Sequence, residues 1–591
     1  MTRKTTNLDA IAEEFVKQII ELSPDMRVSL GLRAGKQGFE DFSPAGALRY
    51  HQLIKETLEK VSACETVDSV DEVTKAAMLF DFRMAIESYE NNDHLGDLNN
   101  IASPLQGIRD GFDLMPTATA ADWQDIYYRM AAVPTAYAGY KESLIAGAEL
   151  DLLPTRVQLR AALKDLAATA NEANPFARMQ EEYAAWASSE TGKSAELPTD
   201  FATKFAAAVT DATQAASDFA SWLEAEFTSR AKNDDRVGAD RYRRASATFL
   251  GAYIDTDATY EWAKAELQRI HAEQVQIAED LFGAGTGVFE AMRKLDDDPK
   301  YQVLGTDGLK KWMQETSDQA MEDLANVHFT VKPQMRALEC MISPTGSGGI
   351  YYTGPSDDFS RPGRMWWACP PDQEIFHTWQ EKTTVYHEGM PGHHMQVSLA
   401  TAAKEELNSW RRNFCWYSGH GEGWALYAED LMDKLGYMQD PADRMGMLDA
   451  QRLRAARVII DIGCHTGKEL PGWDYLASVG ISQEAYEASL AKSPFADLGD
   501  TSAAENEWDR NHVWAFMNNN VAMAEGFLVF EVTRYLGWPG QASSYKVGQK
   551  QWEEIRDSFQ AAHPEKSLKE FHDQALLLGG LPLEVLHTAL K

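Results

Sequence analysis

The spacing of apolar side chains along this 591-residue chain limits its fold more than any other feature. Over residues 258–282 the apolar positions recur every three or four residues, which places them near one face of a helix. These positions are Trp262, Leu267, Ile270, Ile277 and Leu281. The same period occurs over residues 155–171, 201–229, 421–436 and 441–462. Runs of β-branched residues are rare, and the best strand candidates are two short segments, 328–331 and 364–368. The pattern predicts a mainly α-helical protein with a small β element.

Turn-forming residues interrupt the helical pattern most clearly between residues 343 and 364, which read SPTGSGGIYYTGPSDDFSRPGR. A polar stretch of this length without a helix of its own is usually functional or disordered. Its pair of adjacent tyrosines argues against disorder. Most clusters of Trp, Gly and His also lie in the C-terminal half of the chain. We therefore predict a boundary near residue 330, between an N-terminal helical region (1–330) and a C-terminal region (331–591) that contains the candidate chemistry.

The charge balance excludes several classes of partner. The chain has 56 basic and 90 acidic residues, a formal net charge of −34 at pH 7. Nucleic acids and anionic membrane surfaces attract basic proteins, so we expect neither as a partner. No run of 18 apolar residues is present to span a membrane. Five scattered cysteines without a Cys-x-x-Cys pair favour a reducing compartment, and the first 20 residues lack the apolar core of an export signal. We expect a cytoplasmic protein.

A histidine cluster in the segment TTVYHEGMPGHHMQ predicts a metal site. Two neutral imidazoles and one carboxylate are the ligands of many catalytic zinc ions, and a glutamate directly after the first histidine can act as general base. In His-Glu-x-x-His motifs the histidines are four residues apart on one helix. Here the next histidines follow His387 at six and seven residues, and Pro391 must interrupt the helix between them. If two residues loop out at Pro391 and Gly392, His393 takes the place of the second ligand. His394 is the second choice.

The third metal ligand is predicted in the segment SGHGEGWALYAEDLM, which runs from a glycine-rich turn into a helix. Glu422 lies 29 residues after His393, and in helical zinc peptidases a carboxylate from a second helix completes the site at a similar separation. Glu429 lies seven residues further on the same helix face, where it can orient a ligand histidine by a hydrogen bond. A solvated helix face is the alternative for Glu429. His420 is a weaker candidate, as a ligand or as a helix cap.

Several of these motifs together resemble the bacterial domain-of-unknown-function 885 family. They are HEGMPGHH, EGWALYAE, DGFDLMP (110–116), the YYTGPS and RPG segments, RLRAARVIIDIGCH (452–465) and EVTRYLGWPGQASSYKVG (531–548). This family is similar to helical zinc metallopeptidases, as a distant branch. The resemblance implies a two-lobed helical fold with a small β element near the active-site groove, in which 331–591 is the catalytic, metal-binding region. It also implies one Zn²⁺ per chain, with His387, His393 and Glu422 as ligands.

Other residues offer groups that peptide hydrolysis needs. Tyr545 is the first choice as the hydrogen-bond donor to the oxyanion. Arg534 and Lys546 are candidates to hold a substrate carboxylate as an ion pair. For each of the three, a structural hydrogen bond or a surface charge is the alternative. His465 is a further possible donor, although a buried structural histidine is favoured there. The segment 364–368 is a candidate to pair with an extended substrate backbone, or else an ordinary core strand.

We therefore expect a zinc-dependent hydrolase, most simply a metallopeptidase that cleaves short peptides. Glu388 would assist attack by a zinc-bound water and pass its proton to the leaving amine. One alternative is a zinc hydrolase of another amide or ester. The other is a non-catalytic helical binding protein with a relic metal site. Manganese or cobalt could bind the same ligands. The expected partner is a peptide or small amide substrate, and no oligomeric state is predicted.

Overall fold

The computed structural model describes residues 3–36, 38–171, 174–343, 349–370 and 373–591. Within these ranges the chain forms 26 α-helices, five short strands and four 3₁₀ helices. The prediction of a mainly α-helical protein with a small β element is therefore confirmed. Among the described helices, none combines the length and apolar character needed to cross a lipid bilayer.

The first 14 helices precede most of the strands. Their bounds are α1 Asn7–Leu22, α2 Pro24–Ser29, α3 Pro44–Ala63, α4 Ser69–Glu90, α5 Pro104–Asp110, α6 Ala120–Glu149, α7 Arg156–Ala170, α8 Pro175–Ser188, α9 Glu190–Lys193, α10 Phe201–Phe227, α11 Ala239–Leu250, α12 Thr256–Phe282, α13 Val288–Asp296 and α14 Gly305–Leu324.

The remaining helices follow the strands. Their bounds are α15 Thr378–Glu388, α16 His393–Ala402, α17 Ser409–Asn413, α18 Ser418–Lys434, α19 Pro441–Thr466, α20 Trp473–Ser478, α21 Gln483–Ala491, α22 Arg510–Asn518, α23 Glu525–Gly537, α24 Ser544–Ala562, α25 Leu568–Leu577 and α26 Leu583–Ala589. The strands are β1 Gln302–Leu304, β2 Leu338–Ile342, β3 Ile350–Thr353, β4 Gly363–Trp367 and β5 Ile375–His377. The 3₁₀ helices are Asp93–Gly96, Pro299–Tyr301, Pro333–Met335 and Ala496–Leu498.

The predicted helices form close to their expected bounds, and local chemistry explains their ends. The helix expected over 258–282 is α12. It begins after Asp255, whose carboxylate accepts hydrogen bonds from the backbone N–H groups of Asp257 and Ala258. It ends before Gly283, whose φ of 100° a side chain would disfavour. Helices α7, α10, α18 and α19 correspond to the other four predicted segments.

One of the two strand predictions is wrong, and the other strand forms with bounds one residue earlier than predicted. Residues 328–331 form no strand. The chain turns there after Asn326, which has a φ of 63°, and only an isolated bridge joins Ala325 to Phe329. The segment predicted at 364–368 is β4. It is the central strand of a sheet in the order β2-β4-β3, parallel to β2 and antiparallel to β3.

The stretch 343–364 is not a single loop. Residues 344–348 lie outside the described part of the chain. Residues 350–353 form β3, which is an outer strand of the sheet next to β4. The tyrosine pair, Tyr351 and Tyr352, is therefore held on a strand, because alternating hydrogen bonds to β4 fix its backbone.

Two large hydrophobic cores support the helices. One contains side chains from both sides of residue 330, among them Phe82, Leu267, Trp424 and Trp552. The other lies between residues 34 and 231 and includes Trp123 on α6. In the first core α19 packs against α12, α15 and α24, and α18 packs against α15 and α24. The division into regions 1–330 and 331–591 stays a prediction.

Helices α18 and α24 approach each other more closely than side chains would permit. A Cβ atom on Gly423 would lie 2.4 Å from the backbone carbonyl carbon of Gly548. A Cβ on Gly548 would lie 2.3 Å from the backbone oxygen of Gly419. Atoms cannot be this close without displacement, so glycine at these positions sets the distance between the two helices.

We predict that Gly423→Ala lowers the thermal unfolding midpoint, because the added methyl group must separate α18 from α24. Overpacking of this kind costs about 1–3 kcal/mol. Gly526→Ala is the matched control. It also lies in a helix, but a Cβ there meets nothing within 4 Å, so its midpoint should stay the same or rise. Equal midpoints for the two variants would contradict the close contact.

Candidate metal centre

The helix that carries His387 ends immediately after it, and a new helix begins at His393. Helix α15 ends at Glu388 and α16 begins at His393. Pro391 has no N–H to continue the first helix, and the N–H of Gly392 instead donates to the carbonyl of Tyr386 at 3.1 Å. The indole N–H of Trp424 on α18 donates to the carbonyl of Pro391 at 3.0 Å. The break predicted at Pro391 is thus present, and α18 holds it in place.

The structure brings the three predicted metal ligands together. One ligand atom from each of His387, His393 and Glu422 lies within 4.8 Å of the others. Nε2 of His387 is 3.2 Å from Oε2 of Glu422, and Nε2 of His393 is 3.5 Å from the same oxygen. The two imidazole rings are perpendicular, at an interplanar angle of 89°. Both nitrogens therefore converge on one carboxylate oxygen.

The spacing of these atoms fits zinc. Ligand atoms about 2.0–2.2 Å from a tetrahedral zinc ion lie about 3.3–3.6 Å from one another. The two nitrogen–oxygen separations of 3.2 and 3.5 Å are close to this range. The donor set of two imidazole nitrogens and one carboxylate oxygen also leaves one of four positions for water or substrate. His387, His393 and Glu422 would hold the ion.

Glu429 makes the supporting contact that the sequence predicts. The Nδ1–H of His387 donates to Oε1 of Glu429 at 2.8 Å, and the hydroxyl of Thr383 donates to Oε2 at 2.6 Å. The carboxylate is 1% exposed, so these bonds hold it firmly. A proton on Nδ1 leaves Nε2 of His387 free to face the metal position, which is the usual role of such a partner.

The charges of the centre depend strongly on one another. Burial disfavours the charged form of both His387 and Glu422, but the hydrogen bonds between them outweigh it. These hydrogen bonds lower the pKa of Glu422 well below its usual range. Together with the hydrogen bond to Glu429, they raise the pKa of His387 to about 10. Without a metal the two side chains therefore form an ion pair. In this ion pair Nε2 of His387 also carries a proton, which a bound metal ion would replace, so metal binding would release a proton.

Glu388 lies beside the candidate ligands with one oxygen unbonded. It is 6% exposed, and its Oε2 has no hydrogen-bond partner among the described residues. Burial raises the pKa of Glu388, while the positive charges of His387, His393 and Arg454 act in the opposite direction. Together with His393 and Glu422 it lines a cavity of about 220 Å³. The carboxylate is positioned to contact a small molecule in that cavity.

The other walls of the cavity come from strand β3 and the residue after it, from α16 and from the segment between α17 and α18. They are Ile350, Tyr351, Tyr352, Gly354, Val397 and Trp416. This changes the prediction for substrate pairing. Strand β4 has β2 on one side and β3 on the other, so its backbone groups are already bonded. Strand β3 is one of the two outer strands, and it is the one beside the cavity.

Three other histidines considered from the sequence have structural contacts instead. The Nε2–H of His394 donates to the carbonyl of Met335 at 2.7 Å, and its Nδ1 accepts from the hydroxyl of Tyr352 at 2.9 Å. Burial lowers the pKa of His394 to about 4, so it stays neutral with both nitrogens occupied. His420 accepts a backbone N–H from Leu581, and His465 bonds the carbonyl of Tyr535. The structure does not bring these three to the metal centre.

Tyr545 lies on α24 and Arg534 on α23. Burial raises the pKa of Tyr545, and the negative charge of Glu422 raises it further. Its phenol also bonds the side chain of Gln541, which accepts a hydrogen bond from Arg534. Tyr545 is thus within electrostatic reach of a candidate metal ligand, and Arg534 is linked to it through Gln541.

Lys546 does not belong to this group. Lys546 follows Tyr545 in the sequence, but successive side chains of a helix are rotated by about 100° around its axis, so the two point in different directions. Its ammonium group forms an ion pair with Glu266 of α12 at 3.0 Å and bonds Gln549 at 2.9 Å. These contacts favour the structural alternative for Lys546, and its role in binding substrate stays a prediction.

The sequence interpretation missed two arginines of α19. Arg454 interacts electrostatically with Glu388, and the guanidinium carbon of Arg457 lies 5.2 Å from the ring centre of Tyr545. The two are three residues apart and so share a helix face. The sequence signal for Arg457 was its place just before the apolar residues Val458, Ile459 and Ile460, because arginine is rarely buried without a specific partner.

Comparison with known proteins identifies the family. The family model described as "Bacterial protein of unknown function (DUF885)" matches residues 24–590. The chain belongs to this family. Two solved structures resemble this DUF885 protein over almost its full length. One is a "putative lipoprotein" from Colwellia psychrerythraea, with 22% identity and a TM-score of 0.81, covering 99% of this chain and 98% of that chain.

The second is a "putative lipoprotein of unknown function" from Shewanella oneidensis, with 16% identity and a TM-score of 0.72, covering 99% of both chains. At these identities the likeness shows a shared fold and nothing more. No curated protein matches this DUF885 protein.

Metal content tests the ligand set of this DUF885 protein. After dialysis, we expect about one zinc per chain in the wild type and little in His387→Ala or His393→Ala, because two ligands hold the ion far less well than three. His394→Gln is the matched control, which removes a neighbouring imidazole that bonds Met335 and Tyr352. Zinc retained by His393→Ala and lost from His394→Gln would contradict the assignment. Mass spectrometry of the metal and circular dichroism would report binding and folding.

Proposed function

We propose that this protein is a zinc-dependent hydrolase, and most simply a metallopeptidase that cleaves short peptides. The observation that carries the proposal is the position of Glu388. Its buried, unbonded carboxylate oxygen lines the same cavity as His393 and Glu422. A structural metal site has no use for such a carboxylate, whereas hydrolysis needs a base beside the metal.

The residues of the centre can each perform a distinct part of the reaction. A bound Zn²⁺ would supply the positive charge that polarises a carbonyl and makes water acidic. Glu388 would accept a proton from the attacking water as its oxygen bonds to the carbonyl carbon. The same carboxylic acid would then deliver that proton to the departing nitrogen as the carbon–nitrogen bond breaks. Tyr545 would donate its hydroxyl hydrogen to the developing oxyanion.

The resemblance to helical zinc metallopeptidases gives the substrate class and the two-lobed groove of this proposal. The cavity volume of about 220 Å³ favours a small substrate segment over a folded protein. The walls of the cavity include the aromatic rings of Tyr351 and Trp416, which suit apolar side chains. We propose peptides or small amides as substrates. The net negative charge of the chain still argues against nucleic acids and membranes as partners.

The cytoplasm remains the predicted location. The described structure contains five free cysteines, four of them buried. Lipoprotein is the description of the two structural neighbours, at 22% and 16% identity, and we do not extend it to this chain.

We predict that Glu388→Gln keeps its zinc and loses about 10²–10⁴-fold in peptide turnover, because glutamine cannot accept the proton. The isosteric change preserves the shape of the cavity. Glu405→Gln is the matched control, since Glu405 is exposed and lies after α16. A Glu388→Gln variant with nearly normal turnover would overturn the role of general base.

A peptide-library digest followed by mass spectrometry separates the proposal from its two alternatives. Cleavage of peptide bonds supports a peptidase. Turnover of aryl amides or esters without any peptide cleavage would indicate another hydrolase. A zinc-loaded protein that binds peptides but cleaves none of these substrates would indicate a binding protein with a relic site.

A further inference from the structure

We propose that Arg457 and Arg534 form a binding site for a substrate carboxylate next to the metal centre, and that this carboxylate is the C-terminus of a short peptide. The inference rests on the proposed function and names its substrate class more closely. It predicts that the enzyme releases one or two residues from the C-terminal end of a peptide.

The site is a buried cluster on α19 and α23. Nη2 of Arg457 donates to Glu531 at 2.6 Å, and its Nε donates to the hydroxyl of Tyr535 at 2.7 Å. Nη1 of Arg534 donates to the other oxygen of Glu531 at 3.1 Å. The two arginines are 6% and 7% exposed. Two guanidinium groups thus share one carboxylate.

This sharing leaves the cluster with an excess of positive charge. Among the described residues, Glu531 is the carboxylate that contacts both arginines; their other neighbours are Tyr535, Tyr545 and Gln541, which are neutral near pH 7. The Nε–H of Arg534 is also buried without a hydrogen-bond partner. An unbalanced buried charge and an unmade bond are costly. An incoming carboxylate would satisfy both, with the paired geometry that guanidinium favours.

The position of the cluster fits a substrate that also reaches the metal centre. The ring of Tyr545 lies 5.2 Å from the guanidinium carbon of Arg457, and the same side chain feels the charge of Glu422. Tyr545 lies on α24 three residues before Gly548, whose backbone contacts Gly423 next to Glu422, so α24 connects the cluster with the metal ligands. Tyr545 is partly exposed, as is Arg454 on α19.

The distance along α19 indicates how long the bound segment is. Arg454 interacts with Glu388, and Arg457 is one turn further, a rise of about 4.5 Å. An extended peptide advances about 3.3–3.6 Å per residue. A carboxylate at Arg457 thus lies one or two residues beyond a bond cleaved beside Glu388. The C-terminal α-carboxylate is always present in that position, whereas an aspartate or glutamate side chain is present in only some sequences.

Three pools of mixed-sequence tetrapeptides test the inference with the zinc-loaded wild-type protein. The first pool has a free C-terminus, the second a C-terminal amide, and the third a C-terminal amide after a fixed Asp or Glu. We expect kcat/KM for the first pool to exceed that for the second by about 10- to 100-fold, as for loss of charged hydrogen bonds. Activity on the third pool equal to the first would overturn the assignment to the C-terminus.

Variants test whether the arginines recognise the carboxylate. Arg457→Gln should reduce the ratio of kcat/KM for the free-acid pool to kcat/KM for the amide pool to near 1. Glu531→Gln should keep or increase the ratio, because it removes the competing carboxylate. Lys550→Gln is the matched control on α24, where Lys550 pairs with Glu554, and should keep the wild-type ratio. If Arg457→Gln retains the ratio, or if Glu531→Gln abolishes it, the cluster is structural and the inference fails.

A binding measurement separates this inference from the proposed function. Titration calorimetry of the zinc-loaded Glu388→Gln protein with the acid and amide pools should show tighter binding of the acid pool, by about 10-fold or more. Cleavage of both pools at equal rates would overturn the carboxylate site and retain the hydrolase. Preferred binding of the acid pool without any cleavage by the wild type would retain the site and overturn the hydrolase. No binding and no cleavage would overturn both.

Discussion

The candidate centre depends on the direct backbone contact between α18 and α24. Because Gly423 and Gly548 have no side chains, the two helices approach within a distance that even a methyl group would prevent. Helix α18 supplies three groups to the centre within eight residues: the carboxylate of Glu422, the indole of Trp424 that bonds Pro391, and the carboxylate of Glu429 that bonds His387. A small outward movement of α18 would separate all three from α15 and α16.

Two opposite charge imbalances lie side by side in this structure. Glu388, Glu422 and Glu429 place three carboxylates around two imidazoles, more acidic groups than the one His387–Glu422 ion pair neutralises. On α19 and α23, Arg457 and Arg534 share the single carboxylate of Glu531. A metal ion at the first position and an anionic substrate group at the second would balance both. The proposed chemistry and the proposed substrate preference therefore both follow from charges that the protein itself does not balance.

Family membership and structural likeness bear on the fold, while the site must be argued from its own residues. The family model covers residues 24–590, and both structural neighbours match almost the whole chain at low identity. The observations that favour hydrolysis are local. They are the convergence of two Nε2 atoms on one oxygen of Glu422 and the unbonded oxygen of Glu388 beside them.

The sequence by itself determined the helical architecture and named the residues of the candidate metal centre. Apolar spacing identified α7, α10, α12, α18 and α19, because amphipathic periodicity is a local property. Pro391 determined that the helix must break, and the spacing of the following residues selected His393 over His394. Glu422 and Glu429 could be named together because seven residues bring them to one face of a single helix.

Tertiary structure alone decided the features that depend on contacts distant in sequence. The strand expected to pair with substrate proved to be central, because strand order follows from how segments assemble. Lys546 forms an ion pair with Glu266 of α12, whereas Arg457 meets Tyr545 across the interface of α19 and α24. Sequence spacing shows which side chains share a helix face, but the packing of other helices decides what that face contacts.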